Sequence, residues 1–235
     1  HCSTDDRYAD DCHWMGGCLL TDGFFWGSGF YHMMHRPPDP EIAGDGWFDQ
    51  WMHRLQNWVP PTSHIWMNHQ SRDHYWRHGS ICESYDDIEC AVYAVGGWED
   101  GYSNAVPRML ANLHCPRKGL VGPWGHTYPE QGYPGPAIGF LQEGLRWWDY
   151  WLKGLDTGIM EEDMYRVWMQ DYVKPSATLE HVPGRWINEP IWPSPNVETK
   201  TLYLDQSGLV ANRRESTTIK HSSPQSLGTT GGRWC

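Results

Sequence analysis

The stretch Gly96-Gly97-Trp98-Glu99-Asp100-Gly101 follows directly on a short apolar run from Ile88 to Val95. A second such run, from Lys118 to Val121, leads into Gly122-Pro123-Trp124-Gly125-His126. Short apolar runs that end in glycine are typical of buried parallel strands. The segment between them, Tyr102 to Leu113, has the apolar spacing of a helix. Strand, helix and strand in this order predict a parallel α/β sheet.

The loops after these two strands carry residues suited to acid–base chemistry. Functional side chains collect just past the carboxyl ends of parallel strands, and Asp100 and His126 occupy two such positions. Adjacent strand ends can bring a carboxylate within hydrogen-bond reach of an imidazole that acts as a general base. Asp followed by His is also the order of the last two members of an α/β-hydrolase triad. The spacing equally allows Asp100 to cap a helix and His126 to be an ordinary loop residue.

The spacing of apolar residues divides the rest of the chain into regions. Residues 41 to 85 have helical spacing and form a predicted helical subdomain, and a long amphipathic helix is predicted from Ile138 to Leu155. After residue 160 short alternating runs, separated by Pro and Gly, predict strands of an all-β domain: Tyr165 to Gln170, Trp186 to Ile191 and Thr201 to Leu204. We therefore expect a domain boundary near residue 160.

Composition excludes some classes of function. The 235 residues include 18 Lys and Arg against 29 Asp and Glu, for a net charge of −11, so there is no basic footprint for nucleic acid. The apolar runs are far shorter than the roughly 20 residues that cross a bilayer, so no membrane span is predicted. The 7 cysteines are irregularly spaced, which favours reduced thiols and a cytoplasmic location over a disulfide framework.

Several motifs, in order and spacing, resemble the cocaine esterase and X-Pro dipeptidyl-peptidase-like family of acyl hydrolases, often called CocE/NonD. The resemblance covers nearly the whole chain. It rests on these segments: Tyr8 to Gly17, Asp73-His74-Tyr75-Trp76-Arg77, Gly96 to Tyr102, Leu120 to His126, Trp148 to Gly154 and Val167-Trp168-Met169.

The resemblance implies an α/β-hydrolase core with an inserted helical cap and a C-terminal jelly-roll domain. The corresponding boundaries are 1–40 for a core segment, 41–85 for the cap, 86–160 for the core with acid and base, and 161–235 for the start of the jelly roll. Asp100 would be the triad acid and His126 the general base. The substrate would be a small acyl ester or a peptide, hydrolysed without cofactor or metal, while oligomeric state stays open.

The family's nucleophile is a serine in a Gly-x-Ser-x-Gly turn, and no such turn precedes Asp100. Ser28 has Trp26 where the motif needs glycine. Ser103 mimics the motif but follows the acid, and it lacks the strand that must directly precede a nucleophile turn, so a helix start is the favoured interpretation. We therefore expect the nucleophile upstream of His1 and the 235-residue chain alone to be inactive.

Two other kinds of site come from composition. Histidines at intervals of four or five could bind a metal, although solvent-facing histidines are favoured because no HExxH pattern accompanies them: His64, His69, His74 and His78, with Asp73 among them. A platform of Trp186, Trp192 and Tyr203 could stack on a carbohydrate or other ligand. The β-rich part would then be a non-catalytic binding domain attached to an inactive hydrolase relative. Core packing of these aromatic side chains is favoured.

Overall fold

The computed structural model describes residues 5–9, 14–15, 18–174, 176 and 178–227. The helices there are α1 (Thr21–Met34), α2 (Pro40–Ala43), α3 (Trp47–Gln56), α4 (Thr62–Asn68), α5 (His74–Arg77), α6 (Ala105–Asn112) and α7 (Phe140–Lys153). The strands are β1 (Trp14–Met15), β2 (Cys18–Leu19), β3 (Val92–Gly97), β4 (Arg117–Gly122), β5 (Tyr165–Gln170), β6 (Gly184–Glu189), β7 (Tyr203–Asp205) and β8 (Gly208–Val210). Short 3-10 helices cover Gly44–Gly46, Ile81–Glu83 and Tyr85–Asp87.

A four-stranded sheet in the order β3-β4-β5-β6 organises the part of the chain after residue 91. β3 and β4 pair in parallel, with Val92 opposite Arg117 and Gly97 opposite Gly122. β5 joins β4 in parallel, and β6 closes the sheet antiparallel to β5. The predicted α/β class with a parallel sheet is confirmed.

Helices α6 and α7 cover opposite faces of this sheet. Ala94 of β3 and Val121 of β4 belong to the same buried cluster as Leu110 of α6. Tyr93, the next residue on β3, instead contacts Trp147 of α7, with ring centroids 5.2 Å apart. Because side chains alternate along a strand, the sheet is buried on both faces, as its apolar runs require.

The strands after residue 160 differ from the expectation of a separate all-β domain. β5 has the predicted bounds, but its partner is β4, with Gly119 opposite Tyr165. β6 begins and ends two residues before the predicted Trp186–Ile191 run. Of the described strands after residue 160, only β7 and β8 form a small sheet of their own. Short alternating runs identify strands but carry no information about which strand they pair with, and the jelly roll stays a prediction.

Helix α1 is an element that the sequence pattern concealed, because glycines within it have low helix propensity. It packs against α4 of the helical subdomain, and the assignment of residues 1–40 to the α/β core stays a prediction. Gly27 makes the approach possible: a Cβ there would lie 2.6 Å from the backbone nitrogen of Ser63. Helices do occupy most of residues 41–85, while their role as a cap stays a prediction.

Some predictions fall on residues outside the described part of the chain. These include residues 10–13 and 16–17 of the upstream motif and Cys2, Cys12 and Cys235. Among the described residues, no helix has both the length and the apolar character needed to span a bilayer.

Candidate active site

The candidate site lies where β3 and β4 end side by side. Their last residues, Gly97 and Gly122, are paired in register, so the two following loops leave the same edge of the sheet. Leu120 and Val121 of β4 are fully buried just before this edge. A rigid, buried strand pair therefore fixes the starting points of both loops.

Backbone hydrogen bonds continue the pairing beyond the strands. The Trp98 N–H donates to the Gly122 carbonyl at 2.9 Å, and the Glu99 N–H donates to the Trp124 carbonyl at 3.1 Å. Gly97 has to be glycine for this approach, since a Cβ there would lie 1.9 Å from the Trp124 oxygen. The two loops are thus held against one another by their own backbones.

This arrangement places Asp100 and His126 in direct contact. His126 Nδ1 lies 2.9 Å from Asp100 Oδ2, and the other carboxylate oxygen accepts the Tyr102 N–H at 3.3 Å. The Asp100 side chain is 15% exposed, whereas His126 is 55% exposed. A carboxylate on Nδ1 favours the tautomer with the proton there, which leaves the Nε2 lone pair as the base. The partly buried Asp100 carboxylate orients an accessible imidazole.

The loop that carries His126 is closed by further contacts. The Gly125 N–H donates to the Tyr133 carbonyl at 2.9 Å, and the Trp124 indole N–H donates to the Pro136 carbonyl at 2.8 Å. Trp124 itself is buried, with Gly122 and Gly132 packed against its ring. These contacts hold the backbone on both sides of His126.

The loop that carries Asp100 is tied to β5 by a contact that sequence analysis did not anticipate. The Trp98 indole N–H donates to the Trp168 carbonyl at 2.7 Å. Trp98 is only partly buried, so its ring also contributes apolar surface two residues from the acid. The Trp-Glu-Asp sequence gives no local signal for this bond, because its acceptor lies on a strand that comes much later in the chain.

Neither serine weighed as a nucleophile has the setting of a nucleophile turn. Ser103 lies in the turn that follows Asp100, and its N–H donates to the Asp100 carbonyl at 3.3 Å. Residues 98–102 separate it from the end of β3. Asn104, rather than Ser103, directly precedes α6, so Ser103 does not cap that helix. Ser28 lies inside α1.

An ionic cluster around the buried Lys118 lies on the α7 face of the sheet, near the start of β4. Lys118 Nζ donates to the Ile159 carbonyl at 2.8 Å and lies 3.2 Å from Glu162. Burial lowers the pKa of Lys118 despite this carboxylate. Partial burial opposes the ionisation of Glu162, but hydrogen bonds from Arg146 and Lys118 outweigh it and hold the Glu162 pKa below its usual value. The cluster ties β4 to the segment after α7.

The histidines considered for a metal site are spread over the helical subdomain. His69 Nδ1 contacts Asp73, and the His69 ring stacks on Tyr75 at 4.5 Å. The hydrogen bond from His69 lowers the Asp73 pKa. Within the described ranges, no group of three or more His, Cys, Asp or Glu side chains is arranged to hold a metal ion.

The aromatic residues considered for a binding platform do not share a surface. Trp186 packs on Trp168, with ring centroids 5.1 Å apart, and Trp192 packs edge-on to Tyr165 at the same distance. Tyr203 lies on the separate β7–β8 hairpin. The two tryptophans pack against side chains of β5, as the core-packing interpretation predicts.

The fold and the Asp–His contact together define a mixed α/β protein with an aspartate and a histidine in contact beyond its strand ends. A model of the X-Pro dipeptidyl-peptidase (S15) family matches residues 1–128. The chain belongs to this family.

Curated relatives are named in keeping with that assignment, and solved structures share the fold. Two proteins, from Mycobacterium bovis and Mycobacterium tuberculosis, are 30% identical to the chain over 176 residues, and their names provisionally describe serine esterases. The match covers 71% of this chain and 25% of each relative. Two structures of a CocE/NonD family hydrolase from Staphylococcus aureus superpose with TM-scores of 0.60 and 0.61 at 15% and 14% identity. They cover 91% of this chain and 33% of those chains, so this chain spans about a third of their length.

Proposed function

We propose that this chain supplies the acid, Asp100, and the general base, His126, of a serine hydrolase of the acyl esterase or X-Pro dipeptidyl-peptidase type. The nucleophilic serine comes from a segment that precedes His1. The 2.9 Å contact between His126 Nδ1 and Asp100 Oδ2 carries the proposal. Family membership supports the hydrolase class, and the relatives' names favour esters.

In this mechanism His126 accepts the serine proton at Nε2 while the serine oxygen attacks an ester or amide carbonyl. Asp100 stays ionised, keeps the ring oriented and stabilises the imidazolium that forms. His126 then gives the proton to the leaving group. The same residue activates the water that hydrolyses the acyl-enzyme, so no cofactor or metal is needed.

The substrate in this proposal is a small acyl ester or an Xaa-Pro peptide. Trp98 and Tyr102 flank Asp100, and the Tyr102 ring centroid lies 5.9 Å from that of His126. Aromatic surface beside a general base suits an apolar acyl or prolyl group.

The test compares the 235-residue chain with a version extended by the upstream coding sequence, using p-nitrophenyl acetate. We expect the chain alone to match buffer and the extended protein to turn over the ester. His126→Ala should then lower kcat/KM about 10⁴-fold, because the serine loses its base. An Xaa-Pro p-nitroanilide run in parallel distinguishes peptidase from esterase preference.

Matched controls separate the base from general effects of substitution. His114→Ala removes a well-exposed imidazole and should leave turnover unchanged. Ser103→Ala should also be neutral. Turnover by the 235-residue chain that both His126→Ala and Ser103→Ala abolish would make Ser103 the nucleophile and overturn the proposed upstream serine.

A further inference from the structure

Cys90 and Cys115 lie two residues before the first residues of β3 and β4, at the end of this strand pair that is away from the candidate active site. Val92 is the register partner of Arg117, and the Val92 N–H donates to the Pro116 carbonyl at 2.9 Å. Two residues before Val92 and Arg117 are Cys90 and Cys115. The paired strands that follow lie about 4.8 Å apart, and a disulfide joins Cα atoms about 4.4–6.8 Å apart.

The segments of both cysteines pack against the same buried cluster under α6. Cys115 belongs to that cluster, and Ile88 and Val92, which lie on either side of Cys90 in the chain, pack against it. Both cysteines lie in bends just before the strands begin. The two cysteine segments are therefore neighbours at this end of the sheet.

The two thiols differ in access. Cys90 is exposed and Cys115 is buried, and both are reduced in this structure. Burial raises the pKa of Cys115, and the charge of a nearby Cys90 thiolate raises it further. Cys90 is therefore the thiol that meets a reagent first, and Cys115 is the neighbour that reacts second.

An open cavity of about 440 Å³ lies beside Cys115. Its lining includes His114, Arg117 and Lys118, and Glu162 also borders it. The Arg117 guanidinium, which donates to the Cys115 carbonyl at 3.3 Å, suits a low-molecular-weight disulfide that carries carboxylates, such as oxidised glutathione. The cavity gives such a reagent room beside the cysteine pair.

We propose that Cys90 and Cys115 form a dithiol site that closes to a disulfide by exchange with a small anionic disulfide. The Cys90 thiolate attacks one sulfur of oxidised glutathione, forming a mixed disulfide and releasing one glutathione thiolate. Cys115 loses its proton to solvent and attacks the Cys90 sulfur, which releases the second glutathione. The two cysteines supply the two electrons that reduce one oxidised glutathione to two thiols.

The test incubates the reduced, folded 235-residue chain with oxidised glutathione, quenches it with acid and alkylating reagent, and maps its peptides by mass spectrometry. Cleavage after Arg108 separates Cys90 from Cys115, and cleavage after Glu89 separates Cys90 from Cys82. We expect a peptide that starts at Cys90 to be joined to the peptide 109–117, with loss of two hydrogen atoms.

Variants check the order of the two steps. Cys115→Ser, or Cys115→Ala if the buried serine impairs folding, should leave Cys90 bearing one glutathione, because the second thiol is missing. Cys90→Ser should leave Cys115 reduced, and Cys82→Ser should behave like the wild type. A wild-type Cys90 that stops at the glutathione adduct, stays reduced, or joins another cysteine instead would overturn the proposal.

Discussion

The sheet region, residues 92–189, and the helical region, residues 21–87, contain aromatic side chains in contrasting settings. In the sheet region Trp124 and Trp147 are buried, and the Trp124 indole N–H has a backbone acceptor. In the helical region Trp58 and Phe48 are half exposed or more. The same residue type therefore fastens a loop at Trp124 and presents apolar surface at Trp58.

The two regions also differ in the extent of their buried cores. The sheet region packs a continuous buried cluster between α6 and the sheet. The buried aromatic core of the helical region consists of Trp66 and Trp76, with Tyr8 and Tyr75 packed around them. Tryptophan content alone therefore does not indicate a binding surface: what matters is whether the neighbouring backbone is close enough to enclose the ring.

The largest expected effect separates a buried tryptophan from an exposed one. Trp124→Ala should lower the free energy of unfolding by about 3–5 kcal/mol, because it leaves a cavity and an unpaired carbonyl under the His126 loop. Trp58→Ala, at a side chain 56% exposed, should change it by less than about 0.5 kcal/mol. Urea unfolding followed by far-ultraviolet circular dichroism measures both. A loss at Trp58 as large as that at Trp124 would break the comparison.

A second pair of substitutions compares glycines in the two regions. Gly97→Ala should destabilise by about 1–3 kcal/mol or more, because the added methyl meets the Trp124 carbonyl. Gly29→Ala in α1 has open space around the new Cβ and should stabilise by about 0.5–1 kcal/mol through helix propensity. Thermal unfolding midpoints should therefore move in opposite directions. Equal shifts of the same sign would contradict the close approach of the two loops.

The smallest effect is a pH dependence confined to the sheet region. Lys118 has a folded pKa below the 10.5 of the unfolded chain, so between these values the unfolded state binds more protons. Its contribution therefore makes the free energy of unfolding rise with pH in that window. Lys118→Met should remove this contribution, and urea unfolding at several pH values below 10.5 measures the difference.

The pH dependence of Lys118 has to be measured as a difference between wild type and variant, because other groups lower the free energy of unfolding as pH rises. Burial raises the pKa of Tyr165 to about 12, so its folded state keeps a proton that the unfolded chain releases near 10.0. That contribution lowers stability as pH rises and is the same in both proteins. Parallel curves for wild type and Lys118→Met would show that Lys118 titrates alike in the folded and unfolded chains.

Local sequence patterns predict the elements around the site well. The glycine-terminated runs before Asp100 and His126 predict two parallel strands, and their ends do bring the two side chains together. The prediction succeeds because strand length, burial and the following glycines are all local properties. The roles of Asp100 and His126 in catalysis stay a prediction.

What the sequence conceals are partners that lie far apart along the chain. Nothing near Trp98 indicates its bond to Trp168, and nothing in the run from Tyr165 indicates pairing with β4. Helix α1 is hidden for a different reason: Gly27 weakens the local helix signal but is what allows α1 to pack against Ser63. In each case a long-range contact, rather than local propensity, decides the structure.

The pairing of β5 with β4 has a practical consequence for any shortened version of this protein. A chain ended at the change of texture near residue 160 would lose β5 and β6, and β4 would become an edge strand. Its apolar residues Leu120 and Val121 would then border unpaired backbone groups, which is the template for intermolecular strand addition and aggregation. A boundary placed beyond Glu189 keeps the whole sheet.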